Sequence, residues 1–298
     1  MVAEVLTSLR PKPGGRYVDG TVGGGGHAEA MLVTSAPSGW LLGCDRDGIA
    51  IDAAAARLAR FAGRFELRRG NYRELAQWLP ASSCDSVLLD LGVSSPQLDT
   101  PERGFSFQQD GPLDMRMDTR SGPTAADVLN SADADELAKI FFEFGEERNA
   151  RRLARAIAEE RRHRPFVTTM QLAVLIERLS PRRGSRTHPA TRVFQALRIA
   201  VNEELASLQG GLRAALTILK PGGRLAVITF HSLEDRLVKQ FGREATREFT
   251  GPDEVPELRR PCTPQMRWVS RKAIQPAAAE IESNPRARSA QLRVLEKL

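Results

Sequence analysis

Apolar residues in the first ninety positions fall into short, nearly continuous runs at 16–19, 40–45, 65–68 and 86–90, and three of the four end in an aspartate: Asp19, Asp45 and Asp90. The stretches between them, 28–34, the alanine-rich 49–61 and 72–78, carry helical spacing. Strands apolar on both faces and alternating with helices predict a parallel sheet covered on both sides. The alternation breaks at 92–123, where Gly, Pro, Ser and Asp dominate, and a long loop of the kind that carries function is expected. From 124 to 179 the periodicity is helical, and a further helix is expected at 191–219. Strand character returns at 223–230, after the turn Lys220-Pro221-Gly222-Gly223. A helix at 232–246, a proline-bearing loop at 250–264 and two β-like segments at 267–274 and 289–295 complete the pattern. The expected fold is α/β and Rossmann-like, with a mostly parallel sheet and helices on both faces. One discontinuous domain would span 1–101 and 202–298, interrupted by a loop plus helical insertion at 102–201.

Charge sharpens the division. The net charge of +6 hides 14 Lys+Arg against 19 Asp+Glu in residues 1–140, and 29 against 18 in 141–298. Arginine clusters at Arg151-Arg152, Arg161 to Arg164, Arg182-Arg183 and Arg259-Arg260 suit either a nucleic-acid partner or a solvated arginine-rich surface. Cys44, Cys84 and Cys262 form no C-x-x-C pair, and His27, His163, His188 and His231 have no ligand spacing, so no metal is expected. The amino terminus lacks a signal-peptide pattern and no run reaches the ~18–20 apolar residues of a membrane span, which points to a cytoplasmic protein.

The chemistry concentrates at strand ends. Asp19 leads into Gly20-Thr21-Val22-Gly23-Gly24-Gly25-Gly26-His27, a glycine run that lets backbone approach a ligand and opens onto a helix. Its early spacing departs from the dinucleotide fingerprint, which disfavours a nicotinamide oxidoreductase. Asp45, at the end of the second strand, is placed to accept ribose hydroxyls, and Asp19 suits a methionine ammonium better than a pyrophosphate. Together they favour S-adenosylmethionine. Asp90 would lie at the same edge, either as the acceptor of a hydrogen from a substrate amine or as a cofactor contact. His231 reads either as a helix-start residue ahead of a Ser232 cap or as a polar group facing the substrate. Phe105 and Phe107 could stack a base or anchor their loop. Cys262, late and in a proline-rich loop, is a poor nucleophile candidate.

Longer strings then identify a family. Asp90-Leu-Gly-Val-Ser-Ser-Pro-Gln-Leu-Asp99, Arg103 to Phe107 and Asp110 to Asp118 resemble the bacterial 16S ribosomal RNA cytidine N4-methyltransferases, the RsmH or MraW family. So do Tyr17 to Thr21 with Gly25-Gly26-His27, Gly145-Glu-Glu147, His188 to Arg198, Pro221 to Leu225, Phe230 to Arg236 and Asn284 to Ser289. The blocks span nearly the whole chain in the family's order. The resemblance implies a class I S-adenosylmethionine-dependent fold and N4-methylation of cytidine 1402 in 16S ribosomal RNA, near the decoding centre. It implies cofactor contacts at Gly25, Gly26, His27, Asp45, Tyr72, Asp90 and Gln97, with Tyr72 standing where the family often has Phe. Asp90 and His231 are the candidate catalytic residues, 16S ribosomal RNA within the small subunit is the implied partner, and 102–201 would recognise it. The alternatives are an amino-methyltransferase acting on another nucleic acid or protein, and a cofactor-binding ribosome assembly factor without turnover.

Overall fold

The computed structural model describes residues 1–180, 188–251 and 259–298. Arg182-Arg183 and part of the 250–264 segment lie outside them. The chain divides into two compact units, Met1–Gly92 with Leu205–Leu298, and Val93–Glu204. These junctions fall at 92/93 and 204/205, whereas periodicity suggested 101/102 and 201/202.

The first unit runs α1 (Val2–Leu9), β1 (Arg16–Asp19), α2 (Gly26–Thr34), β2 (Trp40–Asp45), α3 (Gly48–Leu58), β3 (Phe65–Arg69), α4 (Leu75–Trp78) and β4 (Cys84–Asp90). The second contributes α5 (Ser95–Asp99), α6 (Ala125–Ser131), α7 (Ala134–Gly145), α8 (Ala150–His163), α9 (Thr169–Leu179) and α10 (Thr191–Asn202). The chain then returns through α11 (Glu204–Ile218), β5 (Leu219–Thr229), α12 (Ser232–Ala245), β6 (Phe249–Thr250), β7 (Arg260–Pro261), β8 (Met266–Trp268), α13 (Ala278–Ser283) and β9 (Gln291–Lys297).

Seven strands form one sheet in the order β3-β2-β1-β4-β5-β9-β8. β1 to β5 are parallel, whereas β9 pairs antiparallel with both β5 and β8. Successive strand residues point to opposite faces, and the two cores obey that rule. Val18, Leu42, Leu89 and Val227 join one cluster with Leu75, Leu212 and Ile218. Tyr17, Leu41, Leu88 and Ala226 join the other with Met31, Leu32 and Leu58. Both neighbours in each strand are therefore apolar, which is why the strands read as unbroken hydrophobic runs.

Several expectations need revision. The helix expected at 191–219 is two helices, broken where Glu203 takes a left-handed φ of 49°. β5 begins at Leu219, before the Lys-Pro-Gly-Gly turn, and its register against β4 jumps from Cys84↔Leu219 to Ser86↔Arg224. The β-like segment at 267–274 yields β8 and one bridge, Ile274↔Leu292. α1 and α13 are not among the expected elements, although α1 carries Val2, Val5, Leu6 and Leu9 at helical spacing over its eight residues.

In the second unit, α6 to α10 surround Leu129, Leu137, Phe141, Leu153, Ile157, Leu172, Ile176, Val193 and Leu197. The long segment ahead of α6 is ordered by buried polar groups. Arg103 donates to the carbonyls of Arg116 and Met117, while Asn202 accepts from the Met117 amide at 2.8 Å and donates to the Met115 carbonyl at 2.7 Å. Phe105 is buried, and Phe107 packs against the rings of His188 and Phe194, each with centroids at 4.7 Å. Both aromatics anchor the loop.

One close approach fixes the floor of the sheet's working edge. A Cβ on Gly211 of α11 would lie 2.3 Å from Cδ2 of Tyr72, so the helix backbone rests directly on that ring. Gly211→Ala is expected to cost about 1–3 kcal/mol through overpacking, read as a lower urea midpoint with unchanged slope.

Candidate active site

β1 is the third of the seven strands, and between it and β4 the chain turns from building one side of the sheet to building the other; such crevices bind ligands beyond the carboxyl ends of the strands. The register makes a notch there. Asp19 is level with Gly43 of β2 and Leu88 of β4, so both neighbours project further, to Asp45 and Asp90. The glycine turn fills this notch. Gly20 donates to the Leu88 carbonyl and Val22 to the Cys44 carbonyl, each at 2.9 Å, sewing the turn to both flanking strands. A Cβ on Gly20 would lie 2.5 Å from Leu89 Cδ2, so any larger residue would have to displace that buried side chain. Gly23 and Gly25 take positive φ of 49° and 81°, conformations glycine adopts without steric cost. Gly25 is the N-cap of α2, which places Gly26 and His27 at the helix start.

Each aspartate is held differently. Asp45 accepts from the Gly23 amide at 3.0 Å and the Asp47 amide at 2.9 Å, one through each oxygen, which leaves further lone pairs for hydroxyls. Burial nonetheless pushes its pKa up. Asp19 is 1% exposed and accepts from the Thr21 amide at 3.2 Å. Burial pushes its pKa up to about 7; the His27 charge and the Thr21 hydrogen bond oppose this, while Asp90 and Asp45 add to it. The Asp90 amide donates to the Thr21 hydroxyl at 2.7 Å, and its carboxylate Oδ2 lies 3.5 Å from His27 Nε2. Burial works against an imidazolium at His27, but the Asp90 hydrogen bond and the charges of Asp90 and Asp19 outweigh it, and the pKa rises. The outer atoms of this pair, His27 Nδ1 and Asp90 Oδ1, are buried without a hydrogen-bond partner.

Buried polar atoms without partners are costly and call for an explanation. Here the donor set supplies one. Three carboxylates and a histidine at one edge repel a pyrophosphate but match a ligand carrying an ammonium, a sulfonium and ribose hydroxyls, as S-adenosylmethionine does.

The remaining expected residues sit elsewhere. Tyr72 opens a turn after β3 that Asn71 caps; the residue is 9% exposed, with its ring against Gly211, so most of its surface serves the core. Gln97 belongs to the second unit, where it and Ser94 form the capping box of α5. His231, not Ser232, is the N-cap of α12: its Nδ1 accepts from the Glu234 amide at 3.4 Å, and Glu234 accepts from the Phe230 amide at 2.8 Å. His231 Nε2 is 3.2 Å from Glu234 Oε1 without hydrogen-bond geometry. Thr21, which ties the end of β4 to the glycine turn, was missed by sequence reasoning because its partner is a backbone amide distant in the chain.

The model of the MraW methylase family matches residues 1–298. A ribosomal RNA small subunit methyltransferase H from Syntrophotalea carbinolica is 54% identical over 304 residues, covering 100% of this chain and 96% of that protein. Its namesake from Thermomicrobium roseum is 48% identical over 301 residues, covering 100% and 92%. Among solved structures, an rRNA methylase from Streptococcus thermophilus aligns at a TM-score of 0.43 and 12% identity, over 100% of this chain and 93% of that one. That score is too low to bear on the fold, which rests on the strand order.

Asp19 gives a pH test. Folding raises its pKa from 3.8 to about 7, so the folded state keeps a proton that the unfolded chain releases. Its stabilising contribution is complete below the unfolded value and is lost as pH rises through about 7. Asp19→Asn is expected to flatten this fall, gaining roughly 2–4 kcal/mol relative to wild type between pH 4 and pH 8 without cofactor, measured by urea unfolding across that range. The same variant is expected to bind S-adenosylmethionine more weakly, most of all at pH 8.

Proposed function

We propose that this chain, which belongs to the MraW methylase family, methylates N4 of cytidine 1402 in 16S ribosomal RNA within the small subunit. It is a class I S-adenosylmethionine-dependent methyltransferase, and the finer assignment to one nucleotide is our reading. The observation that carries it is the His27–Asp90 pair, with Asp90 Oδ1 buried and unpartnered at the carboxyl end of β4.

An exocyclic amine on cytosine is a weak nucleophile because its lone pair is conjugated with the ring. Asp90 Oδ1, accepting one N4 hydrogen, localises that lone pair and takes up the positive charge that develops. His27 and the Thr21 hydroxyl hold the carboxylate and its backbone, so it is oriented before substrate arrives. S-adenosylmethionine, when bound, supplies a methyl group on a sulfonium, open to direct in-line displacement. Asp45 would take its ribose hydroxyls and Asp19 its ammonium, with Gly25, Gly26 and His27 lining the turn and Tyr72 beside them; the family resemblance adds Gln97, which the second unit holds in the α5 capping box. His231 is committed to the α12 cap, and we assign it a positioning role for the end of β5. The helical unit, centred on the 102–201 segment, would recognise RNA. Among the described residues no helix is long and apolar enough to cross a membrane, and we place the reaction in the cytoplasm.

Labelled S-adenosylmethionine and small subunits from cells lacking the modification test this. One methyl group per subunit, mapped to N4 of that cytidine, is the expected product. Asp90→Ala and Asp90→Asn should each lower kcat by roughly 10²–10⁴-fold with His27 and the fold intact. Wild-type turnover in Asp90→Ala, or transfer to another nucleotide or to protein, would overturn the reading.

A further inference from the structure

The arginines of α8 serve two different ends. In its carboxyl half they are tied into the protein. Arg161 donates to the carbonyls of Leu129 and Ala132 at 2.6 Å, which joins α8 to the end of α6, and Arg162 pairs with Glu159 at 2.9 Å. At its amino end, Arg148, Arg151, Arg152 and Arg155 are all exposed, and among the described residues none of them forms an ion pair. Arg151, Arg152 and Arg155 share one side of the helix, and Arg148 lies in the turn just ahead of the N-cap. The opposite side buries Ala150, Leu153, Ala154 and Ile157 in the core of the unit. Arg151 to Arg155 span about 6 Å of the helix axis at 1.5 Å per residue.

Helix stability does not explain this placement. The amino end of a helix carries partial positive charge, which acidic residues there relieve and basic ones aggravate. The first turn of α8 has no acid, and its N-cap Asn149 makes no side-chain capping bond. Glu147, two residues ahead of the N-cap, is buried and accepts from the Asn149 amide at 2.7 Å. Four permanent cations are thus held together at the end of the helix where their repulsion is worst. A polyanion relieves that repulsion, and planar guanidinium groups match phosphate oxygens in pairs.

We propose that Arg148, Arg151, Arg152 and Arg155 form a surface that tracks the phosphate backbone of the RNA substrate. The inference rests on the RNA reading above and adds where the backbone is held. An acidic protein partner would be served less well, because carboxylates are seldom spaced as regularly as phosphates along a strand.

Binding of the full chain to small ribosomal subunits, measured across salt concentrations, decides the matter. Each phosphate contact contributes about 0.7 to the slope of log affinity against log salt for single strands. The quadruple Arg→Gln variant should therefore lower the slope by roughly 3, so that between 50 and 200 mM salt wild type loses about 50-fold more affinity than the variant. KM for subunits should rise, while kcat and S-adenosylmethionine affinity stay at wild-type values. The quadruple Arg→Lys variant should recover most of the slope, since charge without the guanidinium still binds phosphate. A control carrying Arg213→Gln, Arg243→Gln, Arg247→Gln and Arg271→Gln removes the same net charge from the first unit. An unchanged slope in the α8 variant, or an equal loss in the control, overturns the proposal while leaving the RNA reading in place. Wild-type protein that binds no RNA at any salt overturns both.

Discussion

Like charges held at one sheet edge set the terms for the rest of the first unit. Asp19, Asp45 and Asp90 end three adjacent parallel strands, and their mutual repulsion adds to the burial of Asp19. Such an arrangement persists only where the backbone over-determines it. The notch left by the short β1, the glycine turn sewn into it and the amides aimed at Asp45 provide that constraint. A Cβ at Gly20 would collide with Leu89, so turn, core and carboxylates stand or fall together.

The three acids divide the work through their surroundings. Asp45 is satisfied by two backbone amides and serves as a fixed acceptor. Asp90 has an imidazole beside one oxygen, and its other oxygen is buried without a hydrogen-bond partner, which suits a group that meets a substrate amine. Asp19 accepts from a single amide, and burial pushes its pKa up to about 7. A cationic ligand removes exactly the penalty that the unliganded edge carries. The sheet is thus less stable than it could be where it is most useful, the pattern expected of preorganised sites.

The second unit handles charge in the opposite way. Its polar groups close to the core, Arg103, Asn202 and Arg161, are hydrogen-bonded to backbone groups and hold a long irregular segment and two helices in place. Phe105 and Phe107 go to the same purpose. What is left exposed at the amino end of α8 is a row of cations that form no ion pair among the described residues. One unit concentrates negative charge at a backbone edge, and the other presents positive charge on a helix; this matches a cationic cofactor and an anionic polymer respectively.

The sequence alone determined the parallel sheet, the acids at its strand ends, the glycine turn, the interruption by helices and the family, because each of these is written in runs of neighbouring residues. Strand periodicity and strand-end aspartates are local signals, and long unusual strings such as Asp90 to Asp99 identify kinship directly. Only the tertiary structure decided what those residues touch. His27 and Asp90 meet because β1 and β4 are adjacent, Tyr72 is buried because α11 returns over it at Gly211, and His231 takes the cap expected of Ser232 because its ring reaches the Glu234 amide. The antiparallel β9 and the break at Glu203 belong to the same class. Periodicity reports which face of an element is apolar, but pairing direction, side-chain reach and the sharing of a charge among neighbours are fixed only when distant segments pack.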